Sequence, residues 1–125
     1  MRFFVQKTMN TPMIQFDDGV LVISGKSHPE NAHWFFEPFL QFVEGYSKKP
    51  FPYTEVNIIL EYTNCSTNRS LMALFTLLEK LYEKGNNVTV NWYSETNDDQ
   101  MYILGVDFKA MFRLPFTIRE SESIC

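Results

Sequence analysis

The stretch that most constrains this chain is Glu55-Val-Asn-Ile-Ile-Leu-Glu-Tyr62, followed by six small or polar residues and an apolar stripe at helical spacing. Its centre is continuously apolar and partly β-branched, which predicts a central strand covered on both faces. Beyond Thr63-Asn64-Cys65-Ser66-Thr67-Asn68, the residues Leu71, Leu74, Phe75, Leu78, Leu81 and Tyr82 recur every three or four positions. That period predicts a helix over 67–84, ended by the turn residues Lys84-Gly85-Asn86-Asn87. Val88, Val90 and Trp92 then alternate as a second strand. Strand, helix and strand in this order form a βαβ unit, which takes a right-handed parallel crossover. Ligands of an open α/β sheet gather at the carboxyl ends of its strands, where the polar segment 64–67 falls.

The flanks extend this unit. Thr11–Phe16 and Val20–Ser24 are β-prone runs joined by Asp17-Asp18-Gly19, a hairpin signal because Gly takes positive φ without steric cost. Ser27-His28-Pro29-Glu30 matches a capping box, with Ser27 as the N-cap and Glu30 reaching back. Phe35, Phe36, Phe39, Phe42, Val43 and Tyr46 behind it mark one helical face, with Pro38 expected to bend or break the helix near Trp34. Asn97-Asp98-Asp99-Gln100 is a second capping sequence, opening a helix with Met101, Leu104, Phe108 and Met111/Phe112 inward. Pro115 stops it, and Phe116–Arg119 reads as a last short strand. The order β-β-α-β-α-β-α-β predicts one α/β domain over 1–125. It has a mixed sheet, an N-terminal hairpin, three helices packed on the sheet, a core at about 10–120 and a frayed tail at 121–125.

Composition narrows the function. A chain of 125 residues with 45% apolar content and twelve Phe can build a core without disulfides or metals. The net charge of −4 and the absence of a basic run longer than Lys48-Lys49 argue against nucleic acid or an anionic membrane as partner. No apolar run reaches a membrane span or a signal-peptide core, so a cytoplasmic location is expected. Cys65 and Cys125 form no disulfide framework, and no Cys/His cluster has metal-ligand spacing; His28 and His33 stand five apart. All five glycines are single, so no phosphate-cradling loop exists, and no carboxylate pair stands out as acid and base. Neither a cofactor nor a metal is expected.

Four colinear stretches carry a resemblance. They are Lys26-Ser27-His28-Pro29-Glu30-Asn31-Ala32 with Glu37-Pro38; Glu61-Tyr62-Thr63-Asn64-Cys65-Ser66-Thr67; Glu83-Lys84-Gly85-Asn86-Asn87-Val88 with Val90-Asn91-Trp92-Tyr93; and Asp107-Phe108 with Leu114-Pro115-Phe116. Together they resemble the SiaC-type regulatory phosphoproteins over about residues 10–120. The resemblance implies a fold like that of STAS domains and a non-enzymatic role. It further implies phosphorylation of a hydroxyl at the strand-to-helix junction by a Ser/Thr protein kinase, reset by a phosphatase. The unphosphorylated form would bind and activate a diguanylate cyclase in cyclic-di-GMP and biofilm signalling. The family junction carries Thr where this chain has Cys65, so the implied acceptors are Ser66 and Thr67, within a docking surface of Asn64, Cys65, Ser66, Thr67, Asn68 and Arg69.

Competing readings use the same residues. Ser66 and Thr67 can serve only as helix caps, each contributing about 1 kcal/mol. A phosphate there is nonetheless chemically sensible, because a helix start offers free N–H groups and the positive dipole end. The same fold could act as an anti-sigma-factor antagonist in partner switching. A more distant reading makes Cys65, at a helix start, the nucleophile of a small enzyme, although neither histidine is placed to serve it.

Overall fold

The computed structural model describes residues 1–121. Six strands and three helices follow the order β1 (Arg2–Val5), β2 (Met13–Asp17), β3 (Val20–Ser27), α1 (Ala32–Tyr46), β4 (Tyr53–Thr63), α2 (Cys65–Glu83), β5 (Asn87–Glu95), α3 (Asp99–Met111), β6 (Phe116–Ser121). The strands lie side by side in chain order, antiparallel from β1 to β3 and parallel from β3 to β6. The expected hairpin is β2–β3. Asp17 pairs with Val20, and Asp18 and Gly19 both hold positive φ (49° and 90°), the two-residue turn that Asp-Gly favours. A Cβ on Gly19 would also stand 2.7 Å from the Tyr53 carbonyl.

Each parallel pair is joined through a helix, and each step moves one strand further across the sheet. With the right hand such crossovers adopt, all three helices fall on one face. Burial agrees: Val56, Ile58 and Leu60 of β4 are fully buried, while Glu55, Asn57, Ile59 and Glu61 between them are half-exposed. The expectation that this strand is covered on both faces is therefore corrected; its run of three apolar residues hides an alternation. The uncovered face carries polar side chains in sequence across strands. Asn57 donates to Glu55, Asn91 donates to Asn57, and Arg119 donates to Asn91, at 3.0–3.1 Å.

The covered face holds one aromatic core. Phe16 of β2 meets Phe42 and Tyr46 of α1, and Phe75 of α2 packs edge-on to Phe108, Phe112 and Phe116. Trp92 is fully buried beside Phe108, and its indole N–H donates to the Met101 carbonyl at 2.9 Å. The buried Tyr46 hydroxyl is satisfied by Thr54 Oγ1 at 2.8 Å.

Several local expectations shift. α1 starts at Ala32, capped by Asn31, whose Oδ1 accepts from the Trp34 N–H at 2.9 Å; Ser27 is not its cap. Ser27 instead closes β3 and is fully buried. Pro38 sits inside α1, which continues as one helix to Tyr46. α2 starts two residues earlier than the apolar period suggested, and Arg2–Val5, to which the period reading assigned no element, adds an edge strand. Phe3 of that strand packs on Phe39 and Phe42. Ser121 is the last residue of β6, and the rest of the expected tail, 122–125, lies outside the described residues.

Candidate functional site

β4 ends at Thr63, and α2 begins two residues later. Asn64, between them, takes the extended backbone of an N-cap, and its Oδ1 accepts from the Thr67 N–H at 2.8 Å. The cap is therefore Asn64. Cys65, Ser66 and Thr67 occupy the first helical turn, where amide groups lack intrahelical acceptors.

These three residues point differently because helical positions rotate by about 100° each. Cys65 is exposed, Ser66 is half-buried, and Thr67 is fully buried. The Thr67 hydroxyl donates to the Ser27 carbonyl at 3.2 Å and lies 2.9 Å from Ser27 Oγ. With Thr67 as donor of the first bond, Ser27 donates the second. β3 and β4 stay paired to their ends across a register shift between Gly25 and Lys26 that sets Lys26 beside Tyr62 and Ser27 beside Thr63, so the hydroxyl pair ties the α2 start to the neighbouring strand. The hydroxyl of Ser66 makes no hydrogen bond among the described residues.

Of the six residues expected to form the docking surface, Asn64, Cys65, Ser66, Asn68 and Arg69 reach the surface to some degree, and Thr67 does not. Arg69, one turn after Ser66 on the same side of the helix, is exposed. Asn68 lies on the side of Cys65 and lines a cleft of about 350 Å³ with Tyr62, Asp98, Met101, Leu104 and Asp107. The cleft joins the end of β4, the start of α2 and the inner edge of α3. On the opposite flank the His28 ring packs edge-on to the exposed Tyr62, 5.5 Å between centroids.

Reasoning along the chain missed Ser27 as part of this site, since its partner is 40 residues away. The capping sequence Asn97–Gln100 marked the start of α3, where the N-cap is Asp98: its Oδ1 accepts from the Met101 N–H at 3.1 Å. Its second position, on the cleft wall, follows from α3 docking beside α2. His33 pairs with Glu37 at 3.7 Å on the exposed side of α1. No group of three or more His, Cys, Asp or Glu among the described residues is arranged to hold a metal ion. No helix among them is long and apolar enough to cross a membrane.

The family model for SiaC family regulatory phosphoproteins matches residues 5–121. This chain belongs to the SiaC family. An uncharacterised protein of Pseudomonas aeruginosa strain UCBPP-PA14 is 29% identical over 117 residues, covering 92% of this chain and 93% of that protein. Among solved structures, SiaC of Pseudomonas aeruginosa superposes with a TM-score of 0.89 at 27% identity, over 97% of this chain and 99% of the other. The structure of the Pseudomonas aeruginosa diguanylate cyclase SiaD in complex with its activator SiaC matches at a TM-score of 0.90 and 27% identity, over 95% of this chain and 99% of the matched one. SiaC-family membership makes this chain a regulatory protein in the α/β fold described above.

Proposed function

We propose that this SiaC-family chain binds and activates a diguanylate cyclase, and that phosphorylation of Ser66 by a Ser/Thr kinase, reversed by a phosphatase, switches the activation off. The reading is carried by the near-complete match to the solved SiaC relatives, one of them the activator in complex with its cyclase SiaD. Ser66 is preferred over Thr67 as acceptor because its hydroxyl is partly exposed and free of hydrogen bonds among the described residues. Thr67 is enclosed and bonded twice to Ser27. Cys65 holds the position of the family's acceptor Thr but offers a thiol, so the modifiable hydroxyl moves one residue along the helix.

Chemistry favours the anion at Ser66. A phosphate adds about −1.5 to −2 charges, next to the positive end of a 19-residue helix and on the side of the Arg69 guanidinium. A cyclase surface packed on small neutral side chains would then face a hydrated dianion and lose contact. The test is cyclic-di-GMP production by the purified cyclase of the same organism with and without this protein. Ser66→Ala should stimulate as the wild type does, whereas Ser66→Asp should lose most stimulation. Equal stimulation by both variants would remove Ser66 from the switch, and mass mapping of residues 53–84 after kinase treatment would locate the modified hydroxyl.

A further inference from the structure

We propose that Ser27 is a positioning residue of the switch: its bonds to Thr67 hold the first turn of α2 closed, and the kinase modifies Ser66 from the opened turn. This rests on Ser66 as the acceptor and adds what governs access to it. Ser66, Ser70, Ala73 and Leu77 follow at i, i+4, i+7 and i+11 and so share one side of α2. Ala73 and Leu77 of that side border a groove with Leu40 and Gln41 of α1, and Ser70 is buried. Ser66 therefore turns toward α1 and is half-buried, while Cys65 holds the exposed position of the turn.

Phosphoryl transfer demands more room than this. Ser66 Oγ must come within about 3–3.5 Å of the γ-phosphorus of a nucleoside triphosphate, in line with the bond that breaks. A new P–O bond forms, the nucleoside diphosphate leaves, and the hydroxyl proton passes to a base of the kinase. The enzyme has to surround the hydroxyl, and in the closed turn the side toward α1 is not open to it. An approach from solvent meets the Cys65 thiol first.

The bonds that keep the turn closed converge on Thr67. Its N–H donates to Asn64 Oδ1 at 2.8 Å, and its hydroxyl donates to the Ser27 carbonyl at 3.2 Å and accepts from Ser27 Oγ at 2.9 Å. A turn held by so few bonds opens far more often than the whole chain unfolds. β3 places Ser27 for this task. The register shift after Gly25, whose φ is 113°, sets Ser27 beside Thr63 instead of Tyr62, one residue closer to the α2 start. With reclosing faster than transfer, the rate of modification follows the open population, and the Ser27–Thr67 pair sets that population.

The test is the initial rate of Ser66 phosphorylation of the full chain by the Ser/Thr kinase of the same organism with ATP, the label mapped by mass. Circular dichroism melts come first, to establish that each variant is folded. Ser27→Ala, at a fully buried position, should raise the rate about fivefold, and Thr67→Val, which removes both hydroxyl bonds, about tenfold or more. Thr67→Ser keeps the hydroxyl and should stay within about twofold, and Ser27→Ala with Thr67→Val should be no faster than Thr67→Val alone. Amide exchange at Thr67 and Asn68 should quicken by the same factors as phosphorylation. Val56→Ala, in the core near the other end of β4, lowers global stability and should leave the rate within about twofold. An unchanged or slower rate for Ser27→Ala overturns the proposal, while Ser66 stands as the acceptor. A rate that rises equally in Val56→Ala also overturns it, since modification would then proceed from the unfolded chain. Absence of label on Ser66 in the wild type overturns both.

Discussion

Thr67 and Ser66 stand side by side in the chain with different fates, and the difference is one of helical phase. Thr67 turns inward to a buried hydroxyl pair, so its substitution is a stability experiment. Thr67→Val leaves the buried Ser27 Oγ without its partner, and urea denaturation should show a loss of about 1–3 kcal/mol, with Thr67→Ser close to wild type. Asn64→Ala removes the α2 cap and should cost about 0.5–2 kcal/mol by the same measurement. A null effect for Asn64→Ala would mean that Ser66 takes over the cap. At this scale the polar segment itself was legible, because helix starts demand such residues. Which hydroxyl is enclosed was not, since Ser27 lies 40 residues away and its sequence context, Ser-x-x-Glu, matches a capping box that the chain does not use.

Helices and strands carry their own tests. Gly105 sits within α3, where Ala would be favoured by about 1 kcal/mol on helix propensity. A Cβ there would meet the Trp92 ring at 2.5 Å, and Trp92 is fully buried with its N–H committed to the Met101 carbonyl. Overpacking costs about 1–3 kcal/mol, so it wins; Gly105→Ala should lower Tm, and a higher Tm would show that the ring has room to shift. Pro38 is the opposite case. It is exposed inside α1 and removes one intrahelical donor, so Pro38→Ala should raise stability by about 1–3 kcal/mol in thermal melts. Apolar periods of 3.6 and 2 located all three helices and most strands. They failed at β1, a four-residue edge strand with no turn residues beside it, and at β4, whose continuous apolar centre resembles a strand buried on both faces.

Across the whole molecule, the sheet is anchored at its centre and loose at one margin. β3, β4 and β5 bury a residue at every second position, while β1 is half-exposed, paired only with β2, and packs Phe3 against α1. Hydrogen exchange should accordingly be slowest in β4 and fastest among the strands in β1; uniform protection would show that the edge unfolds only with the whole. Sequence by itself determined the βαβ succession, the Asp18-Gly19 hairpin, the polar strand-to-helix junction and the family resemblance. Each is a local pattern whose physical cause is local: side-chain period, turn stereochemistry or helix capping. Only the tertiary structure decided that the three helices share one face, that Thr67 is enclosed by Ser27, and that Asp98, Ile103 and Asp107 meet the α2 start in one cleft. Those facts depend on which distant segments touch, and contact between them follows from crossover hand and strand register, which no single stretch of residues records.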